Sequence, residues 1–284
     1  MHFVVVNVEE IQLQRIVEVP CLPIRKLDSS KGDFGRIVIV AGSRGLSGAA
    51  ILCATAALRG GAGLVTVSCP SDVQDVVAMG HPCYMTCPFP AKLDDLPKAD
   101  VVAIGPGLGK SHLNLELLHG LVTHYQGSLV IDADALSMFS AVPLARTIPA
   151  VLTPHPGEFA RLVNRSIVEV QAQREALATA YARDHGVVLV LKGAGSIVTD
   201  GVKIYVNTTG NPGMATGGCG DVLTGLIAAL IGQKLAPFDA AVLGVWLHGR
   251  AGDLAAKAMG EVSMTASDLL DCLPKAIQGQ VAHE

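Results

Sequence analysis

The chain has 284 residues, half of them hydrophobic, 16% charged and 4% aromatic, and its net charge is −4. These proportions exclude a disordered chain and leave enough length for a substantial core, while the lack of any basic tract excludes nucleic acid as the expected partner. Apolar runs such as "VLTGLIAALIG" are too short to span a bilayer, and the opening "MHFVVVNVEEIQLQRIVEVP" lacks a basic n-region with a cleavage site, so no membrane partner or signal peptide is expected.

From Arg36 onward, short apolar runs alternate with helical stretches. "RIVIVAG" reads as a buried strand. "SGAAILCATAALRGG" follows as a helix, with Ser47 placed to cap it and glycines to end it. "GLVTVSC" is the next strand. Cys83 and Cys87, in "HPCYMTC" beside His81, lack a second pair of ligands at a suitable spacing, so no metal site is expected within the chain. The seven cysteines are scattered and odd in number, which predicts reduced thiols and a cytoplasmic location. "DVVAIG", "SLVIDAD", "AVLTP" and "VVLVLKG" continue the strand series, with helices expected over 111–125 and 168–183.

Continuous apolar strands separated by helices predict an α/β fold with a mostly parallel sheet covered on both faces. Ligands bind such sheets beyond the carboxyl ends of their strands. There stand "AGSRG", "GPGLG", "DADAL", "TPHPGE" and "KGAGS", turns expected to converge on one edge. "SIVTDG" and "KIYVN" then alternate around an Asp-Gly turn as a hairpin. No composition break or repeat divides the chain, so one catalytic domain is expected over 31–284, with 1–30 as an N-terminal embellishment.

The glycine-rich turns do not match the commoner templates. No G-x-x-x-x-G-K-[ST] occurs, "GPGLGK" misplaces the third glycine of the dinucleotide fingerprint, and G-x-S-x-G and H-E-x-x-H are absent. "NPGMATGGCGDVLTG" remains. Val222, Leu223, Leu226, Ile227, Leu230 and Ile231 mark a helical face and small residues fill the other side, so this helix is expected to be buried all round. A buried helix start leaves unpaired N–H groups and a partial positive charge. The backbone of Gly218, Cys219 and Gly220 would then meet a phosphate without obstruction, and Asp221 would accept a proton from a substrate hydroxyl. The plainer alternative is an ordinary helix start with Asp221 complementing the dipole.

On "GNPGMATGGCGDVLTG" the chain resembles the ribokinase-like small-molecule kinases. With "AIGPGLG", "VIDADAL", "LTPHPGEFARL", "LKGAGSIV" and "AVLGVWLHGRAGD" it resembles, more narrowly, the ADP/ATP-dependent NAD(P)H-hydrate dehydratases. The shared motifs run in the family's order from about Lys31 to Asp253. The resemblance implies a ribokinase-like three-layer α/β/α fold and a repair reaction. The S epimer of NADHX or NADPHX, hydrated at C6 of the nicotinamide ring, is phosphorylated on its hydroxyl by ADP or ATP with Mg²⁺ and loses phosphate to regenerate NAD(P)H. It further implies that Lys192, Gly193, Ala194, Gly195, Ser196 and Gly220 meet the nucleotide, and that Ala49, Gly107, His155 and Asp221 meet the hydrated dinucleotide. A homo-oligomer, a homotetramer by this likeness, is expected, with an NAD(P)H-hydrate epimerase as functional partner. Many bacterial members fuse that epimerase ahead of the shared region; only about thirty residues precede it here, so the second activity is expected to be absent from this chain. Many members carry Thr, Ser or Met where this chain has Cys219, which speaks against an obligatory thiol.

Two other readings stay open: a ribokinase-like kinase of a vitamin precursor of the hydroxyethylthiazole or hydroxymethylpyrimidine type, and a non-catalytic nucleotide sensor. "TPHPGE" with "AIGPGLG" favours the dehydratase over the first, and Asp221 beside intact glycines over the second.

Overall fold

The computed structural model describes residues 13–139 and 150–281. Among them ten strands form one sheet: β1 (Gln14–Ile16), β2 (Arg36–Val40), β3 (Leu64–Cys69), β4 (Met85–Pro88), β5 (Val101–Ile104), β6 (Ser128–Ile131), β7 (Val151–Leu152), β8 (Val188–Leu191), β9 (Ile197–Thr199) and β10 (Lys203–Val206). Their spatial order is β1-β10-β9-β8-β7-β6-β5-β2-β3-β4. Only β9 runs against its neighbours, as the middle strand between β8 and β10. The order reverses between β2 and β5, which opens a crevice at their carboxyl ends.

Alternation along each strand sends side chains to two separate cores. Ile37 and Ile39 of β2 face one core, while Val38 and Val40 face the other. The first core is covered by α1 (Ser47–Arg59), α8 (Cys219–Gly232), α9 (Pro237–Met259) and α10 (Ala266–Ile277). The second lies under α3 (His112–His124), α4 (Ala133–Phe139), α5 (Pro156–Leu162) and α7 (Arg174–His185). Two shorter helices, α2 (Gln74–Met79) and α6 (Ile167–Ala172), complete the set. This is the expected three-layer α/β/α arrangement.

Several local expectations needed revision. Ser47 is the first residue of α1 rather than its cap; Leu46 holds the cap position and no side chain caps the helix. The turn before it is closed by the Leu46 N–H donating to the Ser43 carbonyl at 2.8 Å, and Leu46 enters the helix at φ −127°, ψ 21°. Ser111 does cap α3, accepting from the Asn114 N–H. The helix expected over 168–183 is two helices, interrupted at Gln173 (φ −136°, ψ 37°). Residues 74–88, in which no element was expected, form α2 and the edge strand β4.

Of the segment 1–30, residues 1–12 lie outside the described residues. The remainder lies against the main body. β1 pairs in parallel with β10, Leu22 bridges to Val281, and Arg25 donates to the Gly61 carbonyl at 2.6 Å. Among the described residues no helix is long and apolar enough to cross a membrane.

Candidate active site

The five turns meet at the carboxyl edge of the sheet. At the crevice between β2 and β5, the Gly42 N–H donates to the Pro106 carbonyl at 2.9 Å and Ser43 Oγ to the Gly107 carbonyl at 2.8 Å. Gly107 has φ +58°, and a Cβ there would lie 2.7 Å from the Leu46 carbonyl and 2.9 Å from Ala49 Cβ. Ala49 and Gly107, both expected at the substrate, are therefore direct neighbours across the reversal of strand order.

α8 begins at the same edge. Gly218 caps it in the left-handed region (φ +95°), where a side chain would also strike Leu52. Every residue of α8 is buried except Gly220 and Asp221. Its interior is held by close backbone packing: Gly225 lies against the Cys53 carbonyl of α1, and Gly244 of α9 against Ile227. One turn nearer the edge from Cys53 and from Gly225 stand Ala49 and Asp221. The crevice between β2 and β5 and the partly open first turn of α8 thus adjoin.

The loop before α8 is tied to α9. Asp253 accepts from the Gly210 N–H and from Asn211 Nδ2, each at 3.0 Å, and Thr209 Oγ1 donates to the Trp246 carbonyl at 2.9 Å. His248 Nε2 lies 2.8 Å from the Cys219 carbonyl. Burial pushes His248 down to about 4, opposed by that hydrogen bond, so the ring is neutral and donates to the carbonyl. Cys219 is itself buried, and burial raises its thiol above the ordinary range. The residue contributes backbone to the edge, while its sulfur stays protonated in the core.

Four carboxylates and one ammonium gather around the first turn of α8. Asp132, at the end of β6 and 1% exposed, binds Lys192 Nζ through one oxygen at 2.8 Å and accepts from Thr224 Oγ1 on the other at 2.7 Å. Glu158 Oε2 lies 3.9 Å from the same Nζ and accepts from the His155 N–H at 2.8 Å. Asp134 accepts from the Gly109 N–H. In this company Asp221 is pushed up to about 6, by burial first, then by Asp132, with Lys192 opposing and Asp134 and Glu158 adding. Lys192 is raised as well. Burial disfavours its charge, but Asp132 and Glu158 more than offset that and hold its pKa above the ordinary value.

His155 caps α5 rather than standing free: Nδ1 accepts from the N–H groups of Gly157 and Glu158 at 3.0 and 3.3 Å. Its other ring nitrogen, Nε2, lies 3.4 Å from Glu158 Oε1, and the side chain is about half exposed. Beyond Lys192, the turn of Gly193, Ala194, Gly195 and Ser196 is held from beneath by Arg174. That guanidinium donates to the carbonyls of Ala194 at 2.6 Å, Leu191 at 3.3 Å and Lys192 at 3.4 Å. Ser196 Oγ closes the turn on the Gly193 carbonyl at 3.0 Å. An open cavity of about 570 Å³ lies beside it, walled by Ala194, Gly195, Ile197, Val206 and the start of α7. Among the described residues no three His, Cys, Asp or Glu side chains are grouped to hold a metal ion.

Sequence reasoning thus brought Asp221, Gly220, Lys192, Ala49, Gly107 and His155 to one edge, but it missed what fixes them. Arg174 carried no signal, since the sequence placed it inside a helix expected over 168–183. Asp132 stood in "DADAL" and Asp253 in "HGRAGD", both visible as acids following or ending motifs, without their partners being readable.

The sequence profile of the NAD(P)H-hydrate dehydratase family matches residues 37–275. The chain is 39% identical over 246 residues to the ADP-dependent (S)-NAD(P)H-hydrate dehydratase of Neisseria meningitidis serogroup B, covering 83% of this chain and 82% of that protein. It is 46% identical over 275 residues to the bifunctional NAD(P)H-hydrate repair enzyme of Moorella thermoacetica, covering 90% of this chain and 52% of that protein. The chain thus spans about half the length of the bifunctional relatives it matches. Its structure resembles that of the ADP/ATP-dependent NAD(P)H-hydrate dehydratase of Bacillus subtilis, co-crystallised with ATP and Mg²⁺, with a TM-score of 0.85 and 30% identity over 92% of this chain and 98% of that one.

Proposed function

The chain belongs to the NAD(P)H-hydrate dehydratase family, and we propose that it catalyses nucleotide-dependent dehydration of NADHX or NADPHX, the S epimer, back to NAD(P)H. The observation that carries this reading is the first turn of α8. In an otherwise buried helix, the two residues left open are a glycine and a carboxylate, placed beside the crevice that holds Ala49 and Gly107.

Asp221 is the base. It takes the proton from the C6 hydroxyl as that oxygen attacks the terminal phosphorus of ADP or ATP; the bridging P–O bond breaks and the shortened nucleotide leaves. Charge on the transferring group is met by the N–H groups of Gly218, Cys219 and Gly220, reinforced by the α8 dipole. The ring nitrogen then expels phosphate with the electrons of the C6–O bond, and loss of a proton from C5 restores the dihydronicotinamide. Ala49, Gly107 and the outer face of His155 contact the hydrated dinucleotide. Lys192, Gly193, Ala194, Gly195, Ser196 and Gly220 meet the nucleotide, whose remainder extends toward the cavity beside Ala194 and Gly195. Mg²⁺, carried on the nucleotide phosphates with its own waters, would neutralise their charge.

A homo-oligomer follows from the family likeness, to be checked by sedimentation. An NAD(P)H-hydrate epimerase is the functional partner, as the bifunctional relatives suggest. The test of the reaction is recovery of NADH absorbance from NADHX with Mg²⁺ and either ADP or ATP. Recovery with one donor supports the reading; no recovery with either overturns it.

A further inference from the structure

We propose that Lys192 is a positioning residue for Asp221: its ammonium, anchored on Asp132, is the counter-charge that lets a carboxylate stand at the start of α8 among three other acids. This rests on Asp221 being the base, and it adds a task to the lysine beyond the nucleotide contact of its loop. The geometry is specific. Lys192 Nζ lies 2.8 Å from Asp132 Oδ1, 3.9 Å from Glu158 Oε2, and 3.3 Å from where a Cβ on Gly220 would be. It therefore sits over the first turn of α8, next to the residue that precedes Asp221. It is not free to swing away, because Asp132 is held from its other side by Thr224 Oγ1 at 2.7 Å. Thr224 is one turn along α8 from Asp221 and also reaches the Gly220 carbonyl at 3.2 Å. β6, β8 and α8 are thereby locked around a single positive charge.

Among the described residues acting on Asp221, one is a cation. Asp132 comes from β6, Asp134 from α4 and Glu158 from α5, all raising the proton affinity of Asp221, and Lys192 alone lowers it. The thiols of Cys53 on α1 and Cys219 on α8 are kept protonated by burial, and His248 on α9 is neutral. With Lys192 in place Asp221 titrates at about 6, so the base is ionised at neutral pH and is lost as pH falls through that value.

The experiment compares variants by the pH dependence of kcat/KM and, on ligand-free protein, by carbon-13 NMR titration of the Asp221 carboxyl. Lys192→Met is expected to raise the midpoint by about one pH unit or more, giving at least about a fivefold loss at pH 6 that shrinks as pH rises. Asp132→Asn is expected to lower it. Lys192→Arg is expected to restore the wild-type midpoint. The two disruptive variants break the same contact, so a purely structural role would move both midpoints the same way or neither, and either result overturns the proposal. Should Lys192→Met fail to fold, Lys192→Gln takes its place: a raised midpoint supports the counter-charge, and an unchanged or lower one overturns it. A wild type inactive toward NADHX would overturn the base assignment while leaving the NMR comparison standing. An active wild type whose Asp221 ignores both substitutions would overturn the counter-charge only.

Discussion

Two glycine-rich segments meet at the carboxyl edge of this sheet, and their glycines serve opposite ends. In "GPGLG" a Cβ on Gly105 would lie 1.8 Å from the Asp132 carbonyl, and one on Gly107 would strike Leu46 and Ala49. The protein itself occupies that space. In "GGCGD" a Cβ on Gly217 would meet nothing within 4 Å, and one on Gly220 only Lys192 Nζ, at 3.3 Å. No backbone fills the room above it, and the Lys192 ammonium is what reaches over it. Glycines that the fold needs are crowded by it; those at the start of α8 keep a surface bare for something that arrives. Gly218 stands between the two cases, required by its left-handed backbone and by Leu52.

Substitution to alanine should separate the two kinds. The largest effect is expected for Gly105→Ala, which combines φ +127° with a backbone clash. It should cost about 3 kcal/mol or more of stability, read as a lower urea midpoint. A stable Gly105→Ala protein would break the contrast. Gly220→Ala should leave stability within about 1 kcal/mol, since alanine suits a helix better than glycine. Its kcat should nonetheless fall about tenfold or more, because the new methyl covers a donor meant for the phosphoryl group. Full activity in that variant would return Gly220 to an ordinary helix start. The smallest effect is expected for Cys219→Ser. If only the N–H of this residue is used, kcat should stay within about threefold of wild type, under 1 kcal/mol in barrier. A large loss in a folded Cys219→Ser protein would bring the thiol back into the chemistry.

What was legible in the sequence follows the same division. The order of strands and turns was readable because β2, β5, β6 and β8 are unbroken apolar runs, each ending in a polar or glycine-bearing turn. The first turn of α8 was readable because glycines and one acid stand directly before an apolar helix. The partners were not. Asp132 lies 60 residues from Lys192 and 92 from Thr224, and only the closing of the sheet brings the three together. The break at Gln173 was likewise hidden, since 168–183 has helical composition throughout. In the folded chain Arg174, directly after the break, reaches the carbonyls of the turn after β8. α2 and β4 are short and lie at the sheet edge, where patterning is weak.

The central claim is that proton transfer at the start of α8 and nucleotide binding at the turn after β8 are separate tasks in one site. It is tested most directly by Asp221→Asn, measured both by recovery of NADH from NADHX and by calorimetric binding of ADP or ATP. The account predicts a loss of turnover of about a thousandfold with nucleotide affinity within about threefold of wild type. Retained turnover, or turnover and nucleotide binding lost together in a folded protein, would contradict it.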